Sequence, residues 1–464
     1  MSDPVFGGLP IHDHRGSFMQ VIPRANGESD VELSFSEELM WQSDVGDPQT
    51  LPFFDCARSL WLVLRFHGAL NQEALRASLE AVVQRHEVLR SRFVARDGQP
   101  MRLISQSPSY RFTNVDGRSF PSSNPSEMVE KEIKPLLEQF DLACGLLLRA
   151  ALVMLSSDEH ILAIAVHHIV FDRWSRRLLE LELRRFYCAF VTGSEPDIRP
   201  LPAQYQSYVL WQREQLNSER GLKLSAYWTN KLSGLPVLTL PHNGVCRPGI
   251  STRSGTSWFT IPQEEVSRLV VLSRRSRTTL AATMLAVFML FLSRLCGSND
   301  IAVGVPLSDR RRPEFEEVIG LFMNVVVVRA SISNGMTFLE LLDHVRRNLV
   351  DACVHQDLPY GYLQQIIATR PAYKVVFNFM PTLAGADMEW AGIRAEPLSI
   401  PMDLQAFADL SLHLRHEGGA LLCRLVYKAE LFSEDLGHSF AAQIQTLTMA
   451  AMQAPQNSVE TYLI

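Results

Sequence analysis

The sequence predicts an α+β protein built in two halves, on three observations. At 464 residues the chain exceeds what one hydrophobic core organises, so two domains or two halves of a pseudo-dimeric fold are expected. A segment rich in proline and glycine, residues 193–203, defeats both helix and sheet and separates residues 31–192 from 204–464. On both sides of that linker helical and strand patterns mix, without the regular βα alternation or Gly-rich phosphate loop of a doubly wound nucleotide-binding sheet. Residues 1–30 are polar, carry Gly and Pro, lack periodicity and read as an N-terminal extension.

In the first half, Leu33 to Trp41 opens a helix, with Ser34 or Ser36 as cap candidates and Glu37 at capping-box spacing from Ser34. A strand rich in Leu, Val and Trp is expected over 57–66. Asn71 begins a helix through Arg85, with Leu75, Leu79, Val82 and Val83 on one face. Residues 86–90 close it and lead into another strand. Phe140-Asp141-Leu142 is a turn before a strand from Leu146, and residues 161–166 form a strand that ends at two histidines. Ser175 is the candidate N-cap of an amphipathic helix over 176–191, with Leu178, Leu179, Leu181, Leu183, Phe186 and Phe190 inward and Arg176, Glu180 and Arg184 outward. In the second half, helices are expected at 264–274, 280–295, 338–354 and 434–452. Strands are expected at 301–305, 324–330, 374–379 and 421–427.

Composition narrows the function classes. With 47% hydrophobic and 20% charged residues the chain is an ordinary globular protein. A net charge of -6 argues against a nucleic-acid binder, whose footprint is a basic excess. The seven cysteines include no Cys-x-x-Cys pair and no His partner at zinc spacing, so no metal site is expected and a reduced cytoplasmic protein is. Met1 to Gln20 show no secretory signal. The most apolar stretch, Leu280 to Leu292, is too short to span a bilayer and reads as a core helix, so no membrane is expected.

The segment that carries chemistry is 161–175, where an apolar run delivers His167 and His168 into a turn containing Asp172 and Arg173. An imidazole beside a carboxylate on a short loop suits acyl transfer, in which the attacking group must lose a proton near neutral pH.

Further segments join it in register. Leu33 to Trp41 and Arg85-His86-Glu87-Val88-Leu89-Arg90-Ser91-Arg92-Phe93 precede it. Tyr205 to Trp211, Gly304-Val305-Pro306 with Arg310, Ile319 to Asn324, and His355-Gln356-Asp357-Leu358-Pro359-Tyr360 follow. With His167 to Ser175 they resemble, in order, the motifs of nonribosomal peptide synthetase condensation domains, members of the His-His-x-x-x-Asp-Gly acyltransferase superfamily. The resemblance covers nearly the whole chain from Leu33. Epimerisation domains, which carry a different segment at 320–324, fit less well, and heterocyclisation domains, which replace the histidines with aspartates, are ruled out by His167-His168.

The resemblance implies two chloramphenicol-acetyltransferase-like halves in a V, with a tunnel between them that carrier-bound thioesters enter from opposite faces. It implies His168 as the catalytic histidine of amide-bond formation, His167 beside it in a structural role, and Asp172 holding the loop through an ion pair with Arg310. Arg173 departs from the family's usual glycine; with Trp174 and Ser175 it is expected to contact substrate or the carrier arm. The chain would bind no cofactor itself, and its substrates would ride on the phosphopantetheine of acyl or peptidyl carrier proteins or of adjacent synthetase modules. A small-molecule amine or alcohol is the acceptor. Ester formation, or a noncatalytic recruitment role, stays open at this level, as does the choice between a free-standing enzyme and one domain of a larger synthetase.

Overall fold

The computed structural model of the chain describes residues 29–45, 58–118, 124–236, 238–241, 253–367, 375–380, 388–398, 400, 406 and 408–462. Residues 1–28 of the expected extension, and the first residues of the strands expected from 57 and 374, lie outside this set.

Two six-stranded sheets dominate. The strands of the first half are β1 (Ser29–Val31), β2 (Ser59–His67), β3 (Ser91–Arg96), β4 (Gln99–Ile104), β5 (Arg111–Asp116), β6 (Leu148–Ser156) and β7 (Glu159–His167). Those of the second are β8 (Ser254–Ile261), β9 (Asp300–Ser308), β10 (Met323–Ser331), β11 (Val375–Met380), β12 (Met388–Trp390), β13 (Ile393–Pro397), β14 (Leu410–Glu417) and β15 (Ala420–Lys428). The first sheet has the order β12-β13-β2-β7-β6-β5, the second β10-β9-β11-β14-β15-β8, and β1-β4-β3 form a small third sheet. Two features depart from the sequence reading. Residues 29–30 of the expected extension belong to β1, paired with β4. The boundary at 193–203 does not separate the sheets fully, because β13 pairs antiparallel with β2 and so extends the first sheet from the second half.

The helices are α1 (Phe35–Val45), α2 (Gln72–Arg85), α3 (Pro125–Met128), α4 (Lys134–Leu137), α5 (Arg173–Thr192), α6 (Tyr205–Leu216), α7 (Glu219–Leu232), α8 (Gln263–Arg275), α9 (Leu280–Cys296), α10 (Phe338–Val354), α11 (Tyr360–Ile366) and α12 (Glu434–Gln453). Their caps follow local chemistry. Ser34 Oγ accepts the Glu37 N–H at 3.1 Å while Glu37 Oε2 accepts the Ser34 N–H at 2.7 Å, the reciprocal pair that the spacing predicts. Asn71 caps α2 through the Ala74 N–H at 3.0 Å.

The first sheet is apolar on both faces. Leu62, Leu64, Ile164 and Val166 join α2 and α5 in the main core, while Trp61, Val63, Ala163 and Ala165 pack on α3, α4 and the turn between them. This double burial is why β7 reads as a continuous apolar run rather than an alternating one. α5 turns Leu178, Leu179 and Leu183 inward as expected, but Phe190 is exposed and Glu182 is buried against His86. α9 is buried from Ala281 to Ser293. Among the described residues no single helix is long and apolar enough to cross a membrane.

Candidate active site

β7 is buried from His160 to His167. Its pairing with β2 ends where Ser59 meets His167, although the His168 N–H still donates to the Arg58 carbonyl at 3.0 Å. The chain then makes one tight turn over His168–Val170 and enters α5. Asp172, in extended backbone, caps that helix by accepting the Ser175 N–H at 2.7 Å. The expected cap, Ser175, lies inside the first turn instead. Asp is as strong a cap as Ser, and here it takes the role three residues earlier.

The paired histidines differ in their contacts. His167 Nδ1 accepts the Ile169 N–H at 3.2 Å, which leaves the ring proton on Nε2. That atom is 2.9 Å from Asp44 Oδ2, although its N–H is not aligned for a hydrogen bond. Burial alone would raise the Asp44 carboxyl, but the His167 ring and Arg58 outweigh it and hold it below its ordinary value. Both His167 nitrogens are thus occupied by scaffold contacts. His168 is different: it keeps 7% exposure, and its buried Nδ1 has no well-aligned hydrogen-bond partner among the described residues. Burial lowers its pKa below 6.5, against the opposing pull of the local backbone and Asp172, so the ring is neutral at pH 7 and can take up a proton.

Asp172 is fully committed elsewhere. Arg310 Nη2 donates to its two oxygens at 3.0 and 3.1 Å, and the Phe322 N–H donates to Oδ2 at 3.1 Å. Arg310 also donates to Ser175 Oγ at 2.8 Å and to the Phe315 and Val318 carbonyls, and its guanidinium lies 3.9 Å from the Phe322 ring centroid. Burial lowers the Arg310 pKa and Asp172 opposes the shift. The structure therefore brings Asp172 and Arg310 together across the two halves.

The other sequence motifs meet the same segment. Tyr205 donates to the Leu321 carbonyl at 2.8 Å and lies 2.8 Å from Ser34 Oγ. His86 Nδ1 accepts the Ile319 N–H at 3.2 Å. Asn324 donates to the carbonyls of Gln356 and Leu358 and accepts the Tyr360 N–H. Beside Arg310, Tyr208 donates to Asp309 Oδ2 at 2.9 Å, and burial pushes the Asp309 carboxyl up to about 6.

The three residues expected to contact substrate diverge. Ser175 is completely buried, with its hydroxyl bonded to the Gly320 carbonyl at 2.9 Å and N–H at 3.0 Å, so it is part of the joint rather than a contact surface. Trp174 is 42% exposed, and its indole donates to the Glu316 carbonyl. Arg173 reaches out of the first half to Met380 of β11, with Nη1 3.5 Å from the sulfur. Sequence reasoning missed Asp44 and Met380, which lie far from the motif along the chain, and reached Gly320 only as part of the 319–324 segment; only the Asp172 cap left a local signal.

Two six-stranded sheets joined by a buried Asp–Arg pair, with a neutral histidine at the end of one central strand, define a His-His-x-x-x-Asp protein of two sheet-based halves in a pseudo-dimeric fold. Residues 57–464 match the family described as the condensation domain. The chain belongs to that family, the condensation domains of nonribosomal peptide synthesis. It is 32% identical over 443 residues to a linear gramicidin synthase of Brevibacillus parabrevis, a match covering 94% of this chain and 6% of that protein. It is 35% identical over 363 residues to the phosphinothricin tripeptide synthetase PhsC of Streptomyces viridochromogenes, covering 76% and 33% respectively. The chain thus spans a small part of these relatives. Among solved structures, the X-domain in its complex with OxyB from teicoplanin biosynthesis superposes with a TM-score of 0.80 at 23% identity, covering 97% of this chain and 99% of that one.

Proposed function

We propose that the chain forms an amide bond: an acceptor amine attacks a carrier-bound acyl thioester, His168 accepts or positions the amine proton as the tetrahedral intermediate forms, and the intermediate collapses by breaking the C–S bond and releasing the donor carrier's thiol. The observation that carries this reading is the isolation of His168. The four contacts that Asp172 accepts all go to the joint, so this carboxylate is not left to form a His–Asp relay. A single neutral imidazole is enough for an amine, which is already nucleophilic, whereas an alcohol needs stronger base assistance. Orientation of the two thioesters between the halves supplies much of the remaining rate. Asp172 and Arg310 act as scaffold, and His167 fixes the strand end on which His168 stands.

The donor and acceptor arrive on phosphopantetheine arms of carrier proteins or neighbouring synthetase modules, through the V-shaped space that the family resemblance implies. Free thiols at Cys144, Cys188, Cys296, Cys353 and Cys423 support a reducing, cytoplasmic setting. A panel of acyl-carrier donors offered with amine and alcohol acceptors, read by mass spectrometry, tests the reading. Amide product supports it. Ester product would replace it with O-acyl transfer, and absence of product across the panel would favour recruitment of a partner enzyme.

A further inference from the structure

Asp44 stands where its own helix disfavours a carboxylate. It lies in the last turn of α1, at the negative end of the aligned peptide dipoles, and its side chain is only 12% exposed. Burial opposes its charge as well, and the His167 ring with Arg58 is what keeps it ionised. Helix stability therefore does not account for an acid at this position.

Its contacts converge on His168 from both sides along the chain. Asp44 Oδ2 lies 2.9 Å from Nε2 of His167, the residue before, and His167 Nδ1 accepts the N–H of Ile169, the residue after, at 3.2 Å. Asp44 Oδ1 accepts the Arg58 Nε–H at 2.9 Å, and the Arg58 carbonyl accepts the His168 N–H itself at 3.0 Å. One carboxylate thus reaches three consecutive residues through two side chains. The Phe140 ring stands edge-on to the His167 imidazole at 5.3 Å and limits where that ring can turn.

α1 carries this carboxylate across from the second half. At its start Ser36 Oγ donates to the Met323 carbonyl at 2.7 Å, the Phe35 N–H donates to Gln212 Oε1 at 3.2 Å, and Phe35 meets the Tyr362 ring edge-on at 5.7 Å. At its end it packs on the turn over His168–Val170. That turn is therefore held at both ends, by Asp44 at His167 and by Arg310 at Asp172.

We propose that Asp44 is a positioning residue: through His167 and Arg58 it sets the backbone and ring orientation of His168 for the attacking amine. The proposal rests on the condensation reading for what His168 does, but its spectroscopic test does not. Asp44→Ala and Asp44→Asn in the full chain would be compared with the parent in two measurements. On an accepted donor and acceptor pair, Asp44→Ala should lower kcat about ten-fold with KM within about two-fold. Asp44→Asn keeps an oxygen facing His167 and should recover to within about three-fold of the parent. In heteronuclear NMR spectra of the histidine rings without substrate, the parent should show His167 as one tautomer, protonated on Nε2. In Asp44→Ala its two nitrogens should move toward an average of both tautomers, and the His168 signals should shift with them. A folded Asp44→Ala with unchanged His167 and His168 signals, a loss confined to KM, or an Asn variant no better than the Ala variant overturns the proposal. So does failure of both variants to fold, which would assign Asp44 to stability alone. Ring signals that respond as expected in a protein that forms no amide would sink the condensation reading and leave this one standing.

Discussion

Arg310 closes over Asp172 from 138 residues away, and the same guanidinium holds the carbonyls of its own loop at Phe315 and Val318. One cation thereby fixes the segment before β10 to the first turn of α5, so the placement of His168, four residues before Asp172, depends on this pair.

Asp172→Ala should therefore unfold more easily than the parent. It removes a helix cap and leaves Arg310 buried without its carboxylate, together worth about 3–5 kcal/mol. Thermal unfolding followed by circular dichroism checks this, and an inactive variant with an unchanged melting temperature would point to a catalytic carboxylate instead.

The acid limb of kcat/KM should have its midpoint below 6.5, because burial disfavours the protonated His168 ring. The rate should rise as pH increases through that midpoint and stay level beyond about pH 7. The linked stability has the same sign: the unfolded ring binds a proton first, so the native state loses stability as pH falls through 6.5. A rate midpoint above 7 would require a charge partner stronger than Asp172, whose pull burial outweighs.

Asp309 works in the other direction. A carboxyl raised from 3.8 to about 6 contributes stability below pH 3.8 that is lost as pH rises through about 6, leaving a buried charge as a net cost. Asp309→Asn should stabilise the protein at pH 8, by at most about 3 kcal/mol, and do little at pH 4. Urea midpoints at the two pH values decide it, and destabilisation at pH 8 would show that the Arg311 contact outweighs burial.

Gly320 packs against the Tyr205 and Phe322 rings so closely that a Cβ would collide with both. Gly320→Ala should cost about 1–3 kcal/mol by forcing those rings aside. A urea midpoint equal to that of the parent would mean that the joint is looser than its contacts indicate.

Much of this is legible in the sequence where local chemistry decides. The Ser34–Glu37 box, the Asn71 cap and the unbroken apolar run of β7 each follow from neighbouring residues. The Asp172–Arg310 pair is reachable only through the family motifs, because nothing local links residues 138 apart. Three features have weaker signals. By sequence Ser175 reads as a cap and a contact, because its burial depends on Gly320 and Arg310 in the other half. The β12–β13 hairpin joins the sheet of the first half, a pairing that strand patterns do not specify. The link from Asp44 to His167 is invisible until the fold sets the end of α1 against the turn after β7.

The most direct measurement is single-turnover amide formation by the parent and by His168→Ala, at pH 7.5 and on one accepted donor and acceptor pair, with melting temperatures recorded beside the rates. A loss of about 100-fold or more in the variant, with folding retained, is the expected result. An unchanged rate in the folded variant would show that His168 neither accepts nor positions the amine proton.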